Sequence, residues 1–218
     1  MYPQAVIFDL DGTLIDNNAY HIKAFKAFYD KIGKPFTIEE YKQHINGRVN
    51  REIFDYVFNT TLSPEQSEAY TNEKEGLYRE LYAAHIKPID GLIDFLEALE
   101  QAKIPKAIAT SGVIPNINFM FEHIPIRNYF HSVIDSTQIT IGKPHPEIFL
   151  KAALSVNAVP SECIAFEDSV AGIKSAKAAG MKVVVLTTTH TADEMKGADL
   201  VIKDYTEISL TKLRELQV

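Results

Sequence analysis

Two aspartates near the start of the chain have the spacing of a catalytic carboxylate pair. Asp9 and Asp11 follow the apolar residues 6–8 and precede Gly12 and Thr13. Carboxylates can act as nucleophiles, as general acids or bases, or as metal ligands, and Gly12 lets the chain turn sharply away. The same residues could also form only a strand-end cap and a turn, which are common uses of Asp and Gly. Their role therefore depends on which other residues the fold brings beside them.

Three further groups of polar residues end or follow apolar runs. Thr110 and Ser111 could donate hydrogen bonds to phosphoryl oxygens or cap the next segment. Glu167 and Asp168 are adjacent acids, and capping a helix requires only one of them. Lys143 precedes two nearby prolines, a position where a lysine is usually exposed to solvent. Each group has an ordinary structural explanation when it is taken alone.

The order of the elements predicts that these groups meet. Short β-rich runs alternate with longer helical segments, a pattern typical of a doubly wound α/β fold with a parallel sheet. In the strand order 3-2-1-4-5-6, strand 1 is central, and ligands bind outside the carboxyl ends at that point. Asp9 would then lie between Thr110 on one side and Glu167 and Asp168 on the other. We predict strands at residues 5–10, 106–110, 132–135, 163–167, 182–186 and 200–202.

Helical periodicity fills most of the remaining chain. We predict core helices at residues 91–101, 146–156 and 170–179, the last ending at a left-handed Gly180. Almost a hundred residues separate the first two strands, far more than a crossover needs, so residues 17–85 should form an all-helical cap inserted into a core of residues 1–16 and 86–218. Within the insert we expect one apolar helix face, formed by Ile22, Phe25, Phe28, Tyr29 and Ile32. We also expect two capping boxes, one formed by Thr37 with Glu40 and the other by Ser63 with Gln66.

The charge of the predicted site requires a cation. Four carboxylates facing a phosphate dianion would repel it, since unit charges about 4 Å apart interact by roughly 4 kcal/mol at an effective dielectric constant of 20. A divalent ion together with Lys143 is the simplest compensation. Oxygen ligands without cysteine favour Mg²⁺.

The composition narrows the class of protein. Apolar residues make up 46% and charged residues 23% of the 218 residues, and no run approaches the length of a membrane span. The net charge is −7 and no basic stripe is visible, which argues against nucleic acid as a partner. The single cysteine, Cys163, lies in an apolar run and should be a buried thiol. The chain shows no secretion signal, so we expect a cytoplasmic protein, either a monomer or a weak homodimer.

Together, the Asp9–Thr13 segment, the Thr110-Ser111 turn, Lys143 and the Glu167-Asp168 pair resemble, in order, the four motifs of the haloacid dehalogenase superfamily. The resemblance covers the whole chain and includes a helical C1-type cap between the first two motifs. It implies that Asp9 attacks phosphorus, that Asp11 is the general acid and base, and that Thr110, Ser111 and Lys143 bind the phosphoryl group. It also implies that Mg²⁺ is held by Asp9, the Asp11 carbonyl and Asp168, with Glu167 a ligand through water or a support behind the ligands. The acid role of Asp11 argues against carbon–halogen chemistry.

The cap is similar to that of β-phosphoglucomutase-like members at His21, at the segment 47–52, and at Lys74 with Tyr78. In that branch an arginine grips a second phosphate; alignment on Gly47 places Asn50 there, and Arg51 reaches the position only with an insertion of one residue. Arg51 and Lys74 could instead be exposed helix charges, and His21 could be a packed interface residue.

These observations predict a Mg²⁺-dependent phosphatase that acts on a small phosphorylated metabolite, such as a sugar phosphate, through an aspartyl-phosphate. One alternative is a hexose-phosphate mutase that uses the same nucleophile. Alternatives of another class are a non-catalytic phospho-acceptor, although receiver modules are shorter and have no cap, and a binding-only homologue.

Overall fold

The computed structural model describes residues 1–217 and contains a six-stranded parallel sheet in the order β3-β2-β1-β4-β5-β6. Every neighbouring pair of strands is parallel, and β1 pairs with both β2 and β4. This confirms the predicted α/β doubly wound fold and its strand order. The strands are β1 (Ala5–Phe8), β2 (Lys106–Ala109), β3 (Ser132–Ile134), β4 (Cys163–Glu167), β5 (Lys182–Leu186) and β6 (Leu200–Ile202).

Three strands end earlier than the sequence predicts. The predicted ends were residues 10, 110 and 135, whereas the structure ends these strands at Phe8, Ala109 and Ile134. The residue after Phe8 still donates its backbone N–H to the Phe166 carbonyl, but Gly12 then turns with a φ of 71°. The polar side chains thus leave the sheet at its carboxyl edge, because they could not be satisfied within the apolar strands.

Alternate side chains of the strands face two separate apolar layers. Val6 and Phe8 of β1 belong to one buried cluster, whereas Ala5 and Ile7 belong to the other. Three helices cover the first layer: α5 (Leu92–Gln101), α6 (Ile114–His123) and α9 (Leu210–Leu216). Two helices cover the second layer: α7 (Glu147–Ser155) and α8 (Val170–Ala178). The three predicted core helices are confirmed to within one residue, and Gly180 has the expected left-handed φ of 86°.

Cys163 is buried in the second layer, as predicted. Burial raises the pKa of its thiol to about 11.

Short 3₁₀ turns complete the core at Arg127–Tyr129, Ser136–Gln138, Pro160–Glu162, Ala192–Glu194 and Tyr205–Glu207. Within residues 1–217, no helix is both long enough and apolar enough to cross a membrane.

Five α-helices lie between β1 and β2, and the first four of them build an aromatic core separate from the sheet, whereas α5 packs on the sheet. The first four are α1 (Asn18–Lys31), α2 (Ile38–Glu40, continued by a π-helical turn at Tyr41–Ile45), α3 (Asn50–Phe58) and α4 (Pro64–Tyr82). The predicted apolar face of α1 packs into this core, where Phe28 contacts Phe54 with ring centroids 5.2 Å apart. Toward its C-terminal end, α4 instead packs on the sheet layer through Tyr78 and Tyr82.

One of the two predicted capping boxes is complete. Ser63 and Gln66 make both reciprocal bonds at the start of α4. Thr37 accepts a bond from the Glu40 backbone, but the Glu40 side chain accepts from the Tyr29 hydroxyl at 3.1 Å instead of closing the box. The predicted box of Thr37 and Glu40 is therefore only half formed, because the Glu40 side chain binds Tyr29 in a tertiary contact.

Candidate active site

The carboxyl ends of β1, β2 and β4 bring together residues that lie far apart in the sequence. Asp9 follows β1, Thr110 follows β2, and Glu167 and Asp168 end β4. Lys143 reaches them from the loop before α7. All five side chains are buried. The structure thus places five of the predicted site residues at the point where the strand order reverses.

Lys143 is the centre of this group. Its Nζ donates to Asp9 Oδ1 and to Glu167 Oε1, both at 2.6 Å, and to the Ala109 carbonyl at 3.2 Å. Burial by itself would lower the pKa of Lys143, but the two carboxylates outweigh it and raise the pKa above its usual value. The ammonium therefore stays charged inside the protein.

Three buried carboxylates share this single ammonium. Oxygens of Asp9, Glu167 and Asp168 all lie within 4.8 Å of one another. Burial, followed by repulsion from Glu167, raises the pKa of Asp168 to about 8, and burial likewise raises that of Asp9 despite Lys143. A cluster of oxygen donors that is short of positive charge fits a hard divalent cation.

Gly12 leaves room beside Asp168. A Cβ at this position would lie 2.1 Å from Asp168 Oδ2, and its φ is one that side chains rarely adopt. Two further contacts fix the Asp168 carboxylate: Asn18 of α1 donates to its Oδ2 at 3.0 Å, and the Thr189 hydroxyl, which follows β5, bonds the same oxygen. The sequence did not reveal Asn18 or Thr189, since neither belongs to a recognisable motif.

Glu167 is fully committed to contacts within the protein. Its Oε2 accepts from the backbone N–H groups of Asp168 at 2.9 Å and Ser169 at 3.0 Å, and from the Ser169 hydroxyl at 2.9 Å. Its Oε1 accepts from Lys143. The carboxylate presses against α8 at Gly172, where a Cβ would lie only 1.8 Å from Oε1. This geometry suits a residue that supports Lys143 and Asp168 from behind.

Asp11 turns toward the start of the cap. Its Oδ1 accepts from Asn17 Nδ2 at 2.5 Å and lies 3.6 Å from His21 Nε2. Asn17 also accepts from the Gly12 backbone at 3.0 Å and donates to the Tyr78 hydroxyl at 2.6 Å. Burial alone would raise the pKa of Asp11, but the nearby His21 and the hydrogen bond from Asn17 lower it. Asn17 occupies the N-cap position of α1, but its side chain makes no capping bond and binds these groups instead.

The hydroxyl turn after β2 faces the same space. Thr110 Oγ1 accepts from the Gly112 backbone at 2.9 Å, and Ser111 Oγ donates to the Gly47 carbonyl of the cap segment at 2.9 Å. Thr110 and Ser111 line a cavity between the core and the inserted helices, together with Asp9, Asp11 and Asp168. The cavity is about 60 Å³, room for only a few water molecules, so the insert is closed over the site.

Two of the three predicted cap residues reach this cavity. The His21 ring stacks on Tyr78 with centroids 3.8 Å apart, and Lys74 is buried with its Nζ 2.6 Å from Glu75 Oε1. Lys74 is therefore not an exposed helix charge. Arg51 does not line the cavity, and its Nη2 donates to the Thr140 carbonyl at 2.6 Å outside it.

The structure adds cavity residues that sequence reasoning missed. Glu75, Asn50 and Asn116 form a buried cluster at the cap end of the cavity, with both amides donating to the Glu75 carboxylate at 2.8 Å. Glu75 sits in a run of charged residues that reads as a solvent-exposed helix. The sequence singles out Asn50 only because it occupies the position where β-phosphoglucomutase-like proteins have a phosphate-binding arginine.

Comparison with known proteins agrees with this geometry. A model of the haloacid dehalogenase-like hydrolase family matches residues 6–186, a span that contains the four motifs. The chain belongs to this family. The match confirms the resemblance, and it confirms that the protein is an enzyme.

Individual relatives span nearly the whole chain. β-Phosphoglucomutase of Bacillus subtilis (strain 168) is 31% identical over 222 residues, covering 97% of this chain and 94% of that protein. Validoxylamine A 7'-phosphate phosphatase of Streptomyces hygroscopicus subsp. limoneus is 30% identical over 215 residues, covering 95% and 96%. The crystal structure of a family IA, variant 3 hydrolase from Entamoeba histolytica superposes with a TM-score of 0.86 at 34% identity, covering 98% of each chain.

The contact between Glu167 and Gly172 yields a first prediction. Gly172→Ala should displace the Glu167 carboxylate and break its pairing with Lys143, lowering the free energy of unfolding by about 3 kcal/mol, as expected for a disrupted buried ion pair. Gly76→Ala is the matched control in α4, where the nearest atom is 3.9 Å away, and it should stabilise the protein by up to about 1 kcal/mol. Urea unfolding measures both, and equal effects would contradict the packing described here.

Proposed function

We propose that the protein is a Mg²⁺-dependent phosphatase that releases phosphate from a small phosphorylated metabolite, a sugar phosphate or related polyol phosphate. The observation that carries the proposal is the convergence of Asp9, Asp168 and Lys143 at the base of a closed cavity, with Asp11 beside them. The similarity to a β-phosphoglucomutase and to a validoxylamine A 7'-phosphate phosphatase supports the substrate class.

Asp9 is the proposed nucleophile. Its carboxylate attacks phosphorus, the bond from phosphorus to the leaving oxygen breaks, and an aspartyl-phosphate forms. The Thr110-Ser111 turn lines the cavity together with Asp9, and Lys143, whose Nζ lies 2.6 Å from Asp9 Oδ1, is the proposed cation for the phosphoryl oxygens. Water then attacks the phosphorus and releases inorganic phosphate and free Asp9.

Asp11 is the proposed acid and base. It gives a proton to the leaving oxygen in the first step and takes one from water in the second. The hydrogen bond from Asn17 and the nearby His21 favour its carboxylate in the absence of substrate, which suits the second step. In the first step the incoming phosphate dianion favours the protonated form, since a nearby negative charge raises the pKa of a carboxyl group.

Asp9, the Asp11 carbonyl and Asp168 are the proposed ligands of Mg²⁺, and Glu167 supports them through its bonds to Lys143 and the backbone of β4. When bound, the ion would offset the repulsion among these carboxylates and polarise a phosphoryl oxygen. The oxygen-only donor set supports this choice of metal.

We also propose that residues 17–85 act as a cap on the core formed by 1–16 and 86–218. The two segments that connect the core to the insert, near residues 16 and 86, run side by side, because the Ile89 backbone donates to the Leu14 carbonyl at 3.0 Å. These two segments are the proposed hinge. A cavity of about 60 Å³ cannot admit a sugar phosphate, so the cap must open for substrate and product. His21 and Lys74 then face the leaving group, and Arg51 lies outside the proposed site.

A hexose-phosphate mutase is the second candidate, favoured by the 31% identity to the Bacillus subtilis enzyme over 97% of this chain. A mutase would use the same Asp9 but transfer the phosphoryl group to a sugar hydroxyl instead of water.

A cytoplasmic location and a monomeric or weakly dimeric state stay predictions from the sequence.

The nucleophile is tested by Asp9→Asn, which should abolish Mg²⁺-dependent hydrolysis of p-nitrophenyl phosphate because an amide cannot form the acyl phosphate. Asp30→Asn is the matched control, since Asp30 is exposed and pairs only with Lys26 in the described structure, and it should keep full activity. Circular dichroism checks that both variants are folded. Substantial turnover by a folded Asp9→Asn variant would exclude Asp9 as the nucleophile.

The products separate the two candidate functions. With β-glucose 1-phosphate and Mg²⁺, we expect inorganic phosphate and glucose in equal amounts, measured by a phosphate assay and by chromatography. Conversion to glucose 6-phosphate that depends on a bisphosphate primer, with little free phosphate, would instead establish a mutase.

The metal site is tested by thermal unfolding. Mg²⁺ should raise the Tm of the wild-type protein, because an ion that binds only the folded state at a hundredfold excess over Kd adds about 2.7 kcal/mol. Asp168→Asn should unfold at a higher temperature than wild type in EDTA, since it removes a repelling carboxylate, and should gain little from Mg²⁺. An equal gain in both proteins would place the ion elsewhere.

A further inference from the structure

We propose that Glu75 makes the enzyme selective for phosphomonoesters whose leaving group is an uncharged polyol, and that it excludes substrates with a second anionic group. This inference rests on the proposed phosphatase function and names the substrate class of the same site. It is drawn from the charged residues of α4 that line the same cavity as Asp9, on the side called here the cap end.

Glu75 is ionised although it is buried. Only 4% of the residue is exposed, and the pKa of its carboxyl group is lowered to about 2. Burial would raise this pKa, but the charges of Lys74 and His21 and the hydrogen bonds from Lys74 and Asn50 prevail. The cavity is therefore lined by an ionised carboxylate whose charge offsets that of the adjacent Lys74 ammonium, so this pair offers no excess positive charge to a second anion.

Lys74 is not available to grip a second anion. Its ammonium lies 2.6 Å from Glu75 Oε1, 3.3 Å from His21 Nδ1 and 4.2 Å from the centre of the Phe25 ring. A substrate anion could bind Lys74 fully only by drawing it away from Glu75. The buried carboxylate would then lose its charged partner, which is strongly unfavourable.

The same carboxylate is suited to hydroxyl groups. Asn50 of α3 and Asn116 of α6 donate to its two oxygens at 2.8 Å, and Arg79 fixes Asn116 by donating to its Oδ1 at 2.7 Å. An ionised carboxylate has about four acceptor positions. Oε1 already accepts from Asn50 and contacts the Lys74 ammonium, whereas Oε2 accepts from Asn116, so Oε2 retains capacity to accept from a hydroxyl. A polyol can satisfy these groups without adding charge to the cavity.

Arg48 is the other cation that lines the cavity, and it could oppose this selection. Within residues 1–217 it forms no ion pair, but it is partly exposed and also borders an outer groove with Glu39 and Glu194. Solvent screens a partly exposed charge more strongly than a buried one. The buried Glu75 should therefore dominate at the cap end.

A matched pair of substrates tests the proposal. Sorbitol 6-phosphate and 6-phosphogluconate have the same chain length and one phosphate each, but the distal carbon is a neutral alcohol in the first and a carboxylate in the second. We expect the wild-type enzyme to prefer sorbitol 6-phosphate in kcat/KM. Glu75→Gln preserves shape and frees Lys74, and should shift the ratio toward 6-phosphogluconate by at least about tenfold.

Two further variants show whether charge is the cause. Glu73→Gln removes an exposed acid of the same helix that pairs with Lys31 and should leave the ratio unchanged. Adding Lys74→Met to Glu75→Gln should cancel the shift, because the freed ammonium is then lost. Thermal unfolding confirms that each variant is folded, and a ratio of rates is insensitive to a general loss of activity.

Each outcome decides between the claims. If p-nitrophenyl phosphate is not hydrolysed by the wild-type enzyme, the phosphatase function itself is wrong. If it is hydrolysed but neither polyol phosphate is, or if wild type prefers the carboxylate, the selectivity proposal is overturned and Arg48 governs the cap end. A ratio that is the same in wild type and Glu75→Gln would also overturn it.

Discussion

The ion pairs between Lys143 and two buried carboxylates are the interactions on which the rest of the site depends. Lys143 lies 134 positions from Asp9 and 24 from Glu167 in the sequence, and only the strand order of the sheet brings the three together. A charged lysine that is 1% exposed is tolerated only because both carboxylates and the Ala109 carbonyl surround it. The fold and the chemistry therefore impose the same requirement, since neither the buried ammonium nor the buried acids would be stable alone.

The inserted helices, the proposed cap, contact this centre through polar side chains. Asn17 binds Asp11, Asn18 binds Asp168, and Ser111 binds the Gly47 carbonyl. Such bonds can be exchanged for bonds to water or substrate at a small net free energy, unlike an apolar core. The aromatic cluster within the insert keeps its helices together, while Tyr78 and Tyr82 pack the end of α4 on the core beside the crossings. This division suits an insert that moves as a unit and completes the site when it closes.

The part of the site predicted from sequence is the part fixed by the sheet. Strand order, the position of Asp9 and its neighbours, and the core helices follow from local periodicity and from one topological rule. Arg51 shows why the cap was harder: Asn50 faces the cavity, and the next residue on a helix points about 100° away, toward Thr140. The burial of Lys74 and Glu75 depends on how α4 packs against α1 and α6, which charge pattern alone does not encode.

In the proposed mechanism, the protonation of Asp11 connects closure of the proposed cap to the order of the two chemical steps. The hydrogen bond from Asn17 and the nearby His21 favour the Asp11 carboxylate, the form able to accept a proton from water. The acid form is needed only while a substrate phosphate lies beside it, and that phosphate supplies the negative charge that raises the pKa. The same residue can therefore serve both steps without an external switch, because the charge that demands the proton also holds it there. Once the phosphoryl group has moved to Asp9 and the leaving group has gone, the hinge contacts restore the base.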